Sequence, residues 1–125
     1  MIIYSSKVNG AYKVKLLPIA LINTAYKSDK GMRAHELEHI KQYCVVGVLA
    51  AAVGTAAFNW FIGLILAIAM HDTAYTFVRR YRLWAEVQAF KKQLTFGGSL
   101  SLAAKALSGN YDLKISYAEA VEKLS

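Results

Sequence analysis

Apolar and polar residues alternate strictly only near the start of the chain. Over Tyr12-Lys13-Val14-Lys15-Leu16 this period of two predicts a strand with one buried and one wet face. Ile2-Ile3-Tyr4 is a short apolar run before it, and Asn9-Gly10 is the dipeptide best suited to a type I′ turn, so residues 2–17 are expected to form a β-hairpin. Pro18 cannot donate to a sheet ladder. The strand therefore ends there or continues as an edge through Ile19-Ala20-Leu21-Ile22.

The period then lengthens to that of a helix. Ser28 or Asp29 can cap it, although Gly31 suits its first turn poorly. Leu37, Ile40 and Cys44, spaced three and four, form its apolar stripe, while His35 and His39 occupy a different strip and need not be core residues. From Cys44 to Met70 no residue is charged, a run longer than the roughly 20 residues that carry a helix across a bilayer. A helical pattern resumes over residues 73–94, where Leu83, Val87, Phe90 and Leu94 are spaced four, three and four. Glu86 shares a column with Leu83 and Phe90, so it points along the edge of an apolar stripe. Gly97-Gly98 breaks this helix. A short helix follows over residues 99–107, stopped by Ser108-Gly109-Asn110, and the capping box Ser116-Tyr117-Ala118-Glu119 opens a last one through Leu124.

These patterns predict an α+β, mostly helical protein with a single domain over residues 1–125. Its parts are an N-terminal β-hairpin or edge strand (1–26), a long helical hairpin with an apolar tip (28–94, tip 44–70) and two short C-terminal helices (99–125). At 125 residues the chain can bury a core without disulfide or metal staples. The hydrophobic fraction of 56% lies above the usual share for a soluble domain because of the 44–70 run. The one cysteine, Cys44, excludes an intrachain disulfide and fits a reducing compartment.

Net charge is +7, but the basic residues form no run interleaved with aromatics, so no specific nucleic-acid partner is expected. Lys27, Lys30, Arg33 and Lys41 precede the apolar run and Arg79, Arg80, Arg82, Lys91 and Lys92 follow it, which suits an anionic membrane surface. Met1-Ile2-Ile3-Tyr4 lacks the basic start and cleavage site of a signal peptide. The expected location is cytoplasmic, or membrane-associated with both stems of the hairpin cytoplasmic.

The candidate chemistry lies in Ala34-His35-Glu36-Leu37-Glu38-His39-Ile40, which contains His-Glu-x-x-His. Residues four apart on a helix lie one above the other, so His35 and His39 can present two imidazole nitrogens to one ion. Glu36 lies beside them, able to act on water without ligating the metal. Zinc suits two imidazoles, a carboxylate and an open position. The third ligand comes from Glu86, His71, Asp72 or Glu38. Glu38 is turned away around the helix, His71 and Asp72 suit a helix cap or a place behind the ligands, and Glu86 is favoured.

The His35-Glu36-Leu37-Glu38-His39 motif is followed by a separate helix bearing Arg80-Tyr81-Arg82-Leu83-Trp84-Ala85-Glu86-Val87-Gln88-Ala89-Phe90. Together they resemble the gluzincin metallopeptidases, most narrowly their minimal single-domain members and the small phage-encoded proteins built on the same two helices. The resemblance covers roughly the first ninety residues, with the long apolar insert as its departure. It implies that His35, His39 and Glu86 bind Zn²⁺, that Glu36 is the general base, and that a strand before the active helix, here residues 16–22, lines the cleft and pairs with extended substrate.

A single span over 44–70 would put His39 and Glu86 on opposite sides of a membrane. Sharing an ion requires a hairpin. Its turn is expected at Asn59, Trp60 and Gly63, near the midpoint at Ile62, which would leave His39 and Glu86 level at roughly 33 Å from the tip. Small residues at Gly47, Ala50, Ala51, Gly54 and Ala57 permit close helix packing. The expected function is a zinc peptidase acting on a peptide or protein, with an oxyanion donor among Tyr75, Tyr81, Tyr111 and Tyr117. The competing expectation is a structural, assembly or membrane-attached protein, such as a phage virion component, whose zinc site is not catalytic. In that case 44–70 would meet a membrane, an apolar protein partner or another copy in a homo-oligomer.

Overall fold

In the computed structural model, which describes residues 1–125, three short strands precede five helices. The strands are β1 (Ile2–Tyr4), β2 (Ala11–Lys13) and β3 (Ala20–Ile22), in the order β1-β3-β2. β3 is central: it pairs parallel with β1, Ile3 opposite Leu21, and antiparallel with β2, Tyr12 opposite Leu21. The expected hairpin over residues 2–17 is thus not formed, and residues 19–22 are not an edge. The reason is burial. Ala20 and Ile22 are fully buried, so the most apolar strand takes the position with a ladder on each side. Asn23 reinforces this, since its amide donates to Val8 O at 2.6 Å and its backbone N–H to Gly10 O at 2.8 Å, folding the 5–10 loop onto the end of β3. Gly10 does adopt the left-handed conformation expected of it (φ 73°), but at the exit of that wider loop.

Helix α1 (Lys30–Ala57) is capped by Asp29, whose carboxylate accepts from Met32 N–H at 2.8 Å. Gly31 is needed there because a Cβ would sit 3.2 Å from Gln93 Cγ and 3.3 Å from Gln93 O. The burial of α1 inverts the expected stripe. Leu37 is 44% exposed and Cys44 is exposed, whereas His35, Glu36, His39, Gln42 and Tyr43 are buried. The polar strip faces the sheet and the helix carrying Glu86, where Gln42 reaches Ala85 O, Tyr43 reaches Leu16 O and Ile68 O, and His35 and His39 meet Glu86.

The apolar run turns back at Asn59, as expected. Asn59 caps α2 (Trp60–Phe77) by accepting from Ile62 N–H at 3.0 Å. The two helices pack through glycines: a Cβ on Gly47 would lie 2.7 Å from Ala67 O, and one on Gly54 2.9 Å from Gly63 Cα. Helix α2 runs on to Phe77, so the helix expected over 73–94 is two helices, broken at Val78 before α3 (Arg79–Leu94). Arg82 secures the break by donating to Tyr75 O at 2.8 Å, to Thr76 O, and to Tyr111 O at 3.1 Å.

This break changes the register. Gly47 faces Ala67 and the His39 ring lies 6.1 Å from that of Tyr75, so the hairpin folds about its tip at Asn59 and not about Ile62. Tyr75, not Glu86, is level with His39. Glu86 arrives because the chain bends at Val78 and α3 crosses back over α1. The apolar core proper lies beyond it, where Phe90 packs with Ala103, Ala104 and Leu107 of α4 (Leu100–Gly109), Leu113, and Ala120 and Leu124 of α5 (Tyr117–Leu124). Leu83, Val87 and Leu94 flank that core, as their spacing predicted, and the Ser116–Glu119 capping box is formed in both directions.

Candidate metal centre

Three of the residues singled out by sequence converge in one buried place. His35 Nε2 and His39 Nε2 lie 3.2 Å apart, His35 Nε2 is 3.6 Å from one Glu86 carboxylate oxygen, and His39 Nε2 is 3.4 Å from the other. Arms of 2.0–2.1 Å about a tetrahedral zinc give an edge of about 3.3 Å, which these separations match. His35, His39 and Glu86 are 6%, 7% and 1% exposed. One Glu86 oxygen, Oε2, has no hydrogen-bond partner although it is buried, as expected of a ligand awaiting a cation. The donor set therefore fits Zn²⁺.

Gln42, which the sequence reading passed over, fixes the orientation of His39. Its amide nitrogen donates to Ala85 O at 3.1 Å, which turns its oxygen toward His39 Nδ1 at 3.1 Å. His39 thus carries a proton on Nδ1 and turns Nε2 toward Glu86 and His35, where it donates to Glu86 in the metal-free protein and would offer its lone pair to a metal. The available signal was position: Gln42 is three residues after His39, on the same face of α1. Tyr75 makes a corresponding bond, donating its hydroxyl to Glu86 Oε1.

Glu36 shares the cavity but not the ligand set. It is 4% exposed, its Oε2 is buried and unpartnered, and burial, reinforced by the Glu86 charge, pushes its carboxyl up to about 7. Burial, followed by the neighbouring His39, holds the His35 imidazole down at about 4. Burial alone would raise Glu86, but its hydrogen bond and ion pair with His39 hold it below the usual carboxylate range.

A cavity of about 200 Å³ opens beside these groups, lined by Tyr12 and Lys13 of β2, Glu36, His71, Tyr75 and Tyr111, among others. The strand at the cleft is therefore β2, continued by Lys15, and not residues 16–22, whose β3 portion is shielded behind β2. His71 and Asp72 line the cavity without joining the three ligands. His71 Nδ1 meets the Tyr81 hydroxyl at 2.7 Å. Asp72 pairs with Lys13 at 2.9 Å and accepts from Leu16 N–H, tying α2 to the β2–β3 loop. Of the four tyrosines, Tyr75 and Tyr111 line the cavity, Tyr81 stands behind His71, and Tyr117 is 50% exposed on α5 away from it. Glu38 is turned outward to Lys41, 3.4 Å away. No known protein family, curated protein or solved structure matches the chain, so its chemistry is read from this geometry.

Proposed function

We propose that this chain is a zinc-dependent peptidase of gluzincin type, with His35, His39 and Glu86 as metal ligands and Glu36 as general base. The observation that carries the reading is the unpartnered Glu36 oxygen in the cavity that His35 and His39 also line, beside their convergence with Glu86. A structural zinc staple closes its fourth position and has no use for a buried, free carboxylate there. Bound at this centre, zinc supplies a Lewis acid for the scissile carbonyl and acidifies water.

The remaining work belongs to the chain. Glu36, poised at about 7, takes a proton from the attacking water on its Oε2 and returns it to the leaving amine. β2 is an edge strand with a free ladder side at the cleft, able to hold an extended peptide by main-chain hydrogen bonds. His71 and Tyr111 line the cavity wall and are the side-chain donors available there to a developing oxyanion.

The test combines metal content with turnover. Glu36→Gln should retain one zinc per chain and lose cleavage of a peptide library by about 10²-fold or more, whereas His35→Ala and Glu86→Ala should lose the zinc. Undiminished hydrolysis by Glu36→Gln would refute the assignment. Zinc bound without any hydrolysis by the wild type would favour the staple that joins α1 to α3.

A further inference from the structure

The α1–α2 arm has no polar side. Of their most apolar 18-residue stretches, α2 buries only 11% and α1 33%, so neither is a core helix of this fold. Val45, Val48, Leu49 and Val53 on one helix and Phe61, Leu64, Ile65 and Ile68 on the other are between 42% and 70% exposed. What buried surface the helices share is the glycine seam between them. Their side chains point outward all round.

We infer that this arm crosses a lipid bilayer, one helix in each direction, with the metal centre at the membrane surface on the cationic side. Length and charge select lipid over other occupants. From the exposed Lys41 to the tip at Phe58, α1 rises about 25 Å, and α2 from Trp60 to Thr73, which stands level with Lys41, about 20 Å. The hydrocarbon core is about 30 Å thick, a shortfall of about 5–10 Å that snorkelling of Lys41, Arg79 and Arg80 and local thinning of the bilayer absorb. A hairpin dipping into one leaflet would instead leave the last carbonyls of α1 and the first N–H groups of α2 at the bilayer centre without partners. Crossing puts that turn, with Asn59 and the 71% exposed Trp60, among headgroups, where indole rings are favoured.

The charges agree. The stem end carries Lys15, Lys41, Arg79 and Arg80, all exposed, and the arm beyond Lys41 has none before Asp72. That asymmetry suits an anionic inner leaflet. A second copy would cover one side of the arm and leave the other wet, and two chains of net charge +7 repel. The inference stands apart from the peptidase reading, since it uses no residue of the metal centre.

The experiment uses the full chain with Cys44→Ser, reconstituted into sealed 3:1 phosphatidylcholine:phosphatidylglycerol vesicles. One variant adds Phe58→Cys at the tip and the other Ser101→Cys on exposed α4. A membrane-impermeant maleimide should label the two sites in complementary fractions that add to about one whatever the orientation mixture, and both completely after detergent. Protein should stay with the vesicles in 1 M salt, which releases purely electrostatic binding. Full labelling of both sites in sealed vesicles, or a tip protected from both sides, would overturn the crossing. So would a detergent-free, monodisperse oligomer that does not sediment with vesicles. Ile65→Lys, on the exposed face, guards against misfolding: it should weaken vesicle retention while zinc stoichiometry is kept, and unchanged retention in 1 M salt would count against the arm.

Discussion

Replacing Gln42 by Met keeps the volume and removes the only hydrogen-bond acceptor of His39 Nδ1. Two consequences follow from the 3.1 Å bonds to His39 and Ala85. The metal-free protein is left with a buried N–H lacking a partner, a loss of about 1–3 kcal/mol; for a chain of this size each kcal/mol lowers the melting temperature by about 4 °C. The metal loses the group that fixes the tautomer and ring angle of one ligand, which costs about 10–100-fold in affinity, or about 1.4–2.8 kcal/mol. Competition against a chromophoric chelator at neutral pH measures the second effect and thermal unfolding in chelator the first. Gln42→Glu separates them. It keeps an acceptor for His39 but offers nothing to Ala85 O, so zinc affinity should stay near the wild-type value while metal-free stability falls. A zinc affinity within twofold of wild type for Gln42→Met would refute the orienting role.

Two further outcomes are expected. Gly63→Ala would place a Cβ 2.8 Å from Ala51 O and in collision with Thr55, and overpacking of this kind costs about 1–3 kcal/mol; thermal unfolding in detergent should fall accordingly, and an unchanged midpoint would mean that the helices are not seamed there. In the metal-free protein, His35, held down at about 4, is disfavoured by acid, so stability falls as pH drops from 6.5 toward 4, while Glu36, pushed up to about 7, makes stability fall as pH rises from 4.5 to about 7. His71, also held down to about 4 by burial, adds to the loss from His35, so the two histidines outweigh Glu36 between 4.5 and 6.5, while Glu36 and the raised His39 lower stability above 6.5; stability measured by denaturant in chelator should be greatest near pH 6.5. Glu36→Gln should lessen the alkaline loss and leave the part due to His39; a profile rising steadily through pH 7 would contradict the burial of Glu36.

Much of the fold was legible because local chemistry is unambiguous at certain points: Ser116 caps its helix, Asp29, one of two candidates, caps α1, and Asn59 stands at the turn expected there. The sheet was not, because Asn9-Gly10 advertises a tight turn whatever strand follows, and only burial of Ala20 and Ile22 decides which strand is central. Helix α1 misled for a related reason. A period of three and four identifies an apolar stripe but not what it faces, and here lipid-like exposure falls to Leu37 and Cys44 while the interior is furnished by His35, Glu36, His39 and Gln42. In a helix that supplies both a buried His-Glu cluster and an apolar arm, the usual inside and outside change places.

The register drawn from pairing Glu86 with His39 is not the one the chain adopts. Equal distance from a tip at Ile62 would have required one straight return helix, and on such a helix Tyr75 is the residue that reaches His39. The chain instead places Tyr75 at that level as a hydrogen-bond donor and brings the carboxylate to it from the next helix. This needs a bend at Val78 that leaves the carbonyls at the end of α2 without helical partners, and Arg82 answers it by donating to Tyr75 O and Thr76 O. Arg82, four residues before Glu86, is spaced for a helical ion pair with it. Its position is explained instead by the bend that delivers Glu86, so the ligand's place in the centre depends on a cation that never touches it.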